Sequence, residues 1–400
     1  MRFLHTSDWH LGRTLHGVDL LDAQRDVLDQ ICRLVAQPPD GVPVDAVLVA
    51  GDVYDRAVPP VEAVALFEST LAKLVARTTV IVTAGNHDSA IRLGFGAELF
   101  TERLRLRTEL ASVGTPVLLG GSALSSDPPV AVYPFPYLDP DVARTVLAPG
   151  DQPLERSHQA VLSAAMDRVR HDLASRPPGT RSVVLAHAFV VGGEISESER
   201  SIAVGGVDSA AAGTFDGVDY VALGHLHGAQ QPRGPEGTVL RYSGSPLRYS
   251  FSEQAHVKSV TLVDLEPGLD VRVSAVPLRQ PRAMAELTGT LAELLTDERH
   301  VADWVRLVVT DRSRPDQLLE RVKSHFPHVL QVLHQPAGPR PVGAPSTPPA
   351  AVASTPRQLG ADFVEHVTGL AALAEELDLF EQAYLAAGAV SASDSRTGGG

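Results

Sequence analysis

A run of β-branched residues ends in a polar turn at Thr79-Val80-Ile81-Val82-Thr83-Ala84-Gly85-Asn86-His87-Asp88. The first six residues are typical of a buried β-strand. The last four would then lie where the carboxyl end of that strand opens into a loop, which is where ligand sites of open α/β sheets gather. The tetrapeptide alone is equally typical of an ordinary turn, so its interpretation depends on the rest of the chain.

Two earlier strands are predicted to end in the same way, one at Asp8-Trp9-His10 and the other at Gly51-Asp52. A helix is predicted between these strands and another after Pro59-Pro60. The residues expected to face the sheet are Leu21, Leu28, Ile31 and Val35 in the first helix and Val64, Phe67, Leu71 and Leu74 in the second. The order predicts a parallel, right-handed α/β unit with three polar tips at one edge.

The second half of the chain is rich in predicted strands. One runs from Ser182 and ends at His187, and another, from Tyr220, leads into Gly224-His225-Leu226-His227. Three further strands are expected between about residues 239 and 276. This pattern predicts a second sheet packed on the first, which gives an α/β fold with a two-sheet β-sandwich flanked by helices.

Composition divides the chain into five parts. Residues 1–279 form the main domain, and residues 280–334 are expected to form a small α/β capping domain. A linker rich in Pro and Ala follows at 335–356. A helical arm is predicted at 357–388, and residues 389–400 are expected to be a disordered tail.

The predicted arm carries one apolar stripe on an acidic helix. Its members are Phe363, Val367, Leu370, Ala374, Leu377 and Tyr384. A helix tethered on a linker needs something to cover such a stripe, so we expect it to dock onto a partner helix. The alternative is that the arm folds back on its own domain.

Charge and composition limit the class of protein. A formal net charge of −14 argues against a broad basic surface for nucleic acid, although bound divalent cations could make one small site positive. The single cysteine, Cys32, is expected to be a buried structural thiol. The amino terminus lacks the apolar run of a leader, and no stretch of about 18 apolar residues could span a membrane. We therefore expect a cytoplasmic protein.

The predicted strand ends together carry a set of metal-ligating side chains. The set comprises Asp8, His10, Asp52, Asn86, His87, His187, His225 and His227. Mixed nitrogen and oxygen donors suit manganese, iron or zinc better than calcium. Asp52, central in the order, could bridge two ions. Each residue also has an ordinary interpretation, as a helix cap, a solvated loop residue or a core histidine, but their recurrence at five strand ends favours a metal centre.

These motifs, in their order and spacing, resemble the five-motif signature of the calcineurin-like metallophosphoesterases. Three segments more narrowly resemble the SbcD family of nuclease subunits from bacterial SbcCD complexes. They are the segments from His5 to Gly12, from Ala50 to Asp55 and from Gly192 to Arg200. The resemblance is specific over about residues 1–280 and continues through the cap and arm mostly in layout.

The resemblance implies a role for each site residue. It implies that Asp8, His10, Asp52 and His227 bind one manganese ion. It implies that Asp52, Asn86, His187 and His225 bind the other. His87 would face the scissile phosphate, and Asp88 would orient the His87 ring.

The resemblance also implies a function. It is metal-dependent exonuclease and endonuclease cleavage at DNA double-strand ends and hairpins, in DNA repair and recombination. The implied partners are an SbcC-type ABC ATPase on the arm, DNA, and a second copy of the chain through helices near Leu93 to Phe100. The implied location is the nucleoid. The alternatives are a stand-alone phosphodiesterase for nucleotides or small phosphoesters, and a scaffold without activity.

Overall fold

The computed structural model describes residues 1–100, 102–120, 128–194, 196–199, 209–336, 357–358, 360–361 and 372–394. The chain divides into two compact units, Met1–Pro336 and Ala337–Gly400. The predicted linker lies almost entirely outside the described residues.

The described strands alternate with helices along most of the chain. The strands of the first unit are β1 (Arg2–Thr6), β2 (Thr14–Leu15), β3 (Val18–Asp19), β4 (Ala46–Ala50), β5 (Thr79–Thr83), β6 (Leu104–Arg107), β7 (Val117–Leu119), β8 (Val130–Pro134), β9 (Ser182–His187), β10 (Phe189–Val190), β11 (Ser209–Ala210), β12 (Tyr220–Gly224), β13 (Val239–Tyr242), β14 (Ser259–Asp264), β15 (Arg272–Pro277), β16 (Met284–Gly289), β17 (Trp304–Val309) and β18 (Val329–His334). The α-helices are α1 (Leu21–Ala36), α2 (Val61–Val75), α3 (Ala90–Leu93), α4 (Pro140–Val146), α5 (His158–Ala174), α6 (Leu291–Leu294), α7 (Leu318–His325) and α8 (Ala374–Asp394).

The first sheet has the strand order β15-β14-β1-β4-β5-β6. Strands β1, β4, β5 and β6 run parallel to one another, as the strand and helix order predicts. Every residue of β1 and β4 is buried, because helices cover one face and the second sheet covers the other. Strands buried on both faces need continuous apolar sequence rather than alternation, which is the pattern of Ala46–Ala50.

The second sheet has the order β13-β12-β9-β8-β7. Its strands β8, β9, β12 and β13 are parallel, and β7 is an antiparallel edge. The sequence analysis assigns all strands of the second half of the chain to this second sheet. The prediction is wrong for β14 and β15. Both return to the first sheet, where β14 pairs antiparallel with β1. The antiparallel direction lets β14 extend the edge of the first sheet without a crossover helix.

An apolar layer joins the two sheets into a sandwich. Phe3, Leu48 and Ile81 of the first sheet pack on Val183 and Leu185 of the second. Helices α1 and α2 cover the outer face of the first sheet, and α5 covers that of the second. The predicted α/β sandwich with outer helices is therefore confirmed.

One predicted position on α2 is wrong. Val64 is 43% exposed, whereas Ala63 and Leu66 are buried beside Phe67. At 100° per residue, the buried arc of α2 is centred between Ala63, Phe67 and Leu74, and Val64 lies at its margin.

A small α/β unit of one sheet and two helices follows the sandwich. Strands β16, β17 and β18 form a parallel sheet, and α6 and α7 pack on it around Phe326. Met284 and Trp304 of this cap share a core with Tyr249 and Phe251 of the main domain. The cap therefore packs against the segment that follows β13.

The second unit contains the predicted C-terminal helix, α8. Arg357 pairs with Asp378 and Glu381 of this helix at 2.6 and 2.9 Å. The helical backbone continues to Asp394, beyond residue 389, where the sequence places the start of a disordered tail. Phe363, Val367 and Leu370 of the predicted stripe lie outside the described residues.

Among described residues, no helix is long and apolar enough to cross a bilayer.

Candidate metal centre

The carboxyl ends of five parallel strands, β1, β4, β5, β9 and β12, converge at one edge of the sandwich. The main-chain N–H of Asp8 donates to Gly51 O at 3.1 Å, and that of His10 donates to Asp52 O at 3.0 Å. The N–H of His225 donates to both oxygens of Asp8 at 3.1 and 3.2 Å. Residues far apart in sequence thus meet at one site.

The backbone of this site is strained. Positive φ angles occur at Asp8 (55°), His10 (44°), Asp52 (50°) and His225 (105°). Side chains with a Cβ adopt such angles rarely and at a free-energy cost, and such strain clusters at functional sites. Four of the predicted ligands therefore have a strained backbone, and all four lie just after the end of a strand.

Glycines let the strand ends approach closely. A Cβ at Gly85 would lie 2.1 Å from Asp52 Oδ1, and one at Gly224 would lie 1.9 Å from Ala50 O. A Cβ at Gly51 would lie 2.5 Å from His187 Nδ1. The glycines beside the predicted ligands are thus required by space as well as by turn geometry.

One group of donors comprises Asp8, His10 and His227, whose ligand atoms lie within 4.8 Å of one another. All three residues are buried. The Nε2 atoms of His10 and His227 are 3.0 Å apart. At this distance one ring can donate an N–H to the other, and both can direct a lone pair to a bound cation, so the donor set fits a metal ion.

A second group comprises Asp8, Asp52 and His187, again within 4.8 Å. Asn86 Oδ1 lies 2.9 Å from His187 Nε2, and the His225 ring centroid is 5.4 Å from that of His187. His187 Nδ1 is 2.9 Å from Ala50 O. Because Ala50 O and Asn86 Oδ1 only accept, both ring nitrogens of His187 carry a proton here. The Ala50 carbonyl fixes the proton on Nδ1, so Nε2 is the nitrogen that would release its proton to a metal ion.

Asp52 lies between the two groups. Its Oδ2 is 3.6 Å from His10 Nε2 and 3.4 Å from His187 Nε2. The position suits a carboxylate that would be shared by two ions. The structure therefore brings together all seven residues predicted as ligands, with Asp8 close to both groups.

The electrostatics keep most of these donors available to a cation. Burial raises the pKa of Asp52, but the imidazoles of His187 and His10 outweigh burial and hold that pKa well below its usual range. Burial lowers the pKa of His187, but Asp52 outweighs it and raises the pKa to about 9. Burial lowers the pKa of His225 to about 3, and that of His10 falls as well. His10 and His225 are therefore neutral and Asp52 is ionised, which are the forms that bind metal, whereas His187 must release one proton to bind it.

His87 belongs to a third group of possible ligands, with His10 and Asp55, and to neither of the two groups above. Its Nδ1 is 2.8 Å from the main-chain carbonyl of Asp55, so Nδ1 is the protonated nitrogen. Its Nε2 lies 3.9 Å from Asp52 Oδ2, and its ring centroid is 4.7 Å from that of His10. The side chain is 12% exposed, which leaves Nε2 at the boundary between the site and solvent.

The sequence predicts that Asp88 orients the His87 ring. In the structure, the hydrogen bonds of Asp88 go to main-chain N–H groups instead. Asp88 accepts hydrogen bonds from the main-chain N–H groups of Val53, Tyr54 and Gly85, at 2.9 to 3.1 Å. The carbonyl of Asp55 contacts the His87 ring instead. Asp88 therefore ties the loop after β5 to the loop after β4, and burial raises its pKa to about 7.

Sequence reasoning missed three residues near the centre. Asp55 Oδ1 lies 3.7 Å from His10 Nδ1, and Tyr249 packs against the rings of His10 and His227. Glu253 Oε1 lies 3.4 Å from His227 Nδ1. The three-residue spacing from Asp52 could have indicated Asp55, but no local pattern distinguishes Tyr249 or Glu253.

Comparison with protein families agrees with this geometry. The family model described as calcineurin-like phosphoesterase matches residues 1–229, more than half of the chain. A second model, named for the SbcD C-terminus and described as the type 5 capsule protein repressor C-terminal domain, matches residues 280–385. Calcineurin-like phosphoesterases bind divalent metals. The chain therefore belongs to the calcineurin-like phosphoesterases, as an SbcD-like, metal-dependent phosphoester hydrolase.

Proposed function

We propose that the chain is the nuclease subunit of an SbcCD-type complex and hydrolyses DNA phosphodiesters at double-strand ends and hairpins. The observation that carries this proposal is the combination of the clustered donor set with an SbcD-type C-terminal region. A cap and an arm beyond the sandwich are extra parts that a small-phosphoester hydrolase does not need. The biological setting that follows is DNA repair and recombination.

The donor set divides into two overlapping sites for manganese. Asp8, His10, Asp52 and His227 would hold one ion. Asp52, Asn86, His187 and His225 would hold the other. Two divalent cations, when bound, lower the pKa of a water molecule and neutralise charge on a phosphodiester. The chain itself fixes the donors, through the strained turns and the carbonyl that holds His187.

His87 is the proposed catalytic residue. The Asp55 carbonyl holds Nδ1–H, so Nε2, 3.9 Å from Asp52 Oδ2, is the nitrogen left to act on a substrate. In its protonated form His87 would donate from Nε2 to the leaving oxygen of the scissile phosphate, and its positive charge would stabilise the phosphate before transfer. No covalent intermediate is required.

The net charge bears on how DNA is held. With a formal charge of −14, the chain as a whole repels the DNA backbone, and bound cations would make the site locally attractive. An SbcC-type ATPase would therefore supply most of the attraction.

Substrate choice tests this proposal. Purified chain with manganese, with and without the ATPase, is given linear duplex DNA, hairpin-ended DNA and a small chromogenic diester. We expect degradation of the duplex and nicking of the hairpin. Hydrolysis of the small diester without any cleavage of DNA, even with the ATPase present, would replace the proposal with a stand-alone phosphodiesterase.

The arm is the proposed binding site for the ATPase. Leu373, Leu379 and Tyr384 of the second unit are between 54% and 69% exposed, so apolar surface is available to a partner helix. Deleting residues 357–400 is expected to abolish co-purification with the ATPase and to spare manganese binding. Tyr384→Asp, in the predicted apolar stripe, should weaken co-purification, whereas Val142→Asp, at an exposed apolar residue of α4, should not. Continued co-purification after the deletion would contradict the arm proposal.

A second copy of the chain is the proposed partner of the surface after β5. Ile91, Phe95 and Leu99 are 84% to 88% exposed, and Phe100 lies beside them. Such a cluster is unfavourable in water and suits a symmetric interface. Phe95→Asp is expected to shift the chain from dimer to monomer in sedimentation velocity, with Val142→Asp again as the control. A monomeric parent would contradict the dimer.

A further inference from the structure

A hydrogen-bonded network of buried polar groups lies behind the ring of His227. His227 Nδ1 is 2.6 Å from Ser198 Oγ, and the Ser198 hydroxyl donates to Glu253 Oε1. Glu253 Oε1 also lies 3.4 Å from Nδ1 directly. Since Nε2 faces His10 and Asp8, the contacts at Nδ1 are on the side of the ring away from the donor cluster.

The ion pair of Glu253 and Lys258 completes this network. Glu253 is 0% exposed and Lys258 is 2% exposed. Lys258 Nζ lies 2.5 Å from Glu253 Oε2, and it also donates to Ser245 Oγ at 2.9 Å and to His227 O at 2.8 Å. Burying two charges costs several kcal/mol per ion before pairing repays it. An apolar pair would fill this volume at lower cost, so stability alone does not explain these residues.

Glu253 and Lys258 act on different parts of the same residue. The carboxylate reaches the His227 ring, directly and through Ser198, while the ammonium holds the His227 carbonyl. The main-chain N–H of His227 donates to Glu199 Oε1 at 2.7 Å. His227 is thus fixed at its amide, its carbonyl and the far side of its ring, whereas the ligand atom Nε2 faces His10 Nε2 at 3.0 Å.

We infer that Glu253 is a positioning residue for His227, with Ser198 as the relay and Lys258 as its counter-ion. The inference rests on the metal centre of the proposed function and adds two residues from the segment between β13 and β14 and one from the loop after β10. His227 Nδ1–H would donate to Ser198 Oγ, and Ser198 O–H donates to Glu253. This polarity keeps the proton on Nδ1, so that Nε2 presents a lone pair to the ion, and a carboxylate behind a ligand makes the imidazole more basic.

Manganese titration of the full chain tests the inference without any assay of activity. Isothermal calorimetry and manganese EPR of the parent should give two ions. Glu253→Gln should weaken one of these ions about 10- to 100-fold and leave the other unchanged, because only His227 loses its support. Ser198→Ala should weaken the same ion by less. Asp219→Asn is the matched control, because it removes a half-buried carboxylate before β12, at the opposite end of that strand from His225.

A double variant separates positioning from folding. Glu253→Gln leaves the Lys258 charge buried without its partner, so the variant is expected to be less stable. Glu253→Gln combined with Lys258→Met removes both charges, and its thermal midpoint should rise again while the weaker manganese affinity persists. Recovery of parental affinity in the double variant, or parental affinity in Glu253→Gln, would overturn the inference. A parent that binds fewer than two ions would instead overturn the metal centre and the inference with it.

Discussion

The His87→Gln variant is expected to keep both manganese ions and to cleave DNA about 10²- to 10⁴-fold more slowly than the parent. His87 contacts the Asp55 carbonyl through Nδ1 and lies 3.9 Å from Asp52 through Nε2. Glutamine preserves polarity and approximate length, but it can neither carry positive charge nor release a proton. The chemical step therefore loses its acid while the ligands remain in place.

The measurement pairs single-turnover cleavage with calorimetry of manganese binding. His171→Gln, on helix α5, is the control because His171 belongs to neither donor group. We expect this control to match the parent in both readouts. A His87→Gln variant that cleaves at near the parental rate would remove His87 from the mechanism, and one that loses an ion would make His87 a ligand.

Gly85→Ala is expected to lower manganese affinity at least about tenfold, because it displaces the residue between the two donor groups. A Cβ at this position would lie 2.1 Å from Asp52 Oδ1 and 2.3 Å from Asp52 N. Asp52 N is a main-chain atom, and Asp52 Oδ1 is held by a hydrogen bond from the His87 N–H at 2.9 Å, so Asp52 or the loop after β5 must move. A shift of this size separates Asp52 from His10 and His187.

The control for this variant is Gly150→Ala, where no atom lies within 4 Å of the added Cβ. Thermal unfolding of both variants shows whether the fold survives, and calorimetry counts the ions. The expectation is a folded Gly85→Ala chain with weakened manganese binding. Parental affinity in Gly85→Ala would mean that Asp52 is not held where the close packing indicates.

Much of the fold could be predicted because its strands are short apolar runs with polar ends. The runs Ala46–Ala50 and Thr79–Thr83 are buried on both faces, so their sequences are continuous and easy to recognise. The polar residues that follow parallel strands share one edge of the sheet by topology. This is why the donor residues could be collected before any contact between them was known.

Other features depend on contacts that no local pattern contains. Strand β14 joins the first sheet through pairing with β1, more than 250 positions earlier. Asp88 follows His87 in sequence, but its oxygens face the main chain of Val53 and Tyr54. Glu253 approaches His227 only through the packing of the segment after β13. Each of these contacts is a tertiary contact, and the spacing of residues along the sequence does not predict it.

The most direct test of the central claim is the anomalous scattering of crystals grown with manganese. The account predicts two peaks about 4 Å apart, one among Asp8, His10 and His227 and the other beside Asn86, His187 and His225, with Asp52 reaching both. A single peak, or two peaks that do not share Asp52, would contradict the two-metal centre on which the proposed hydrolysis of DNA depends.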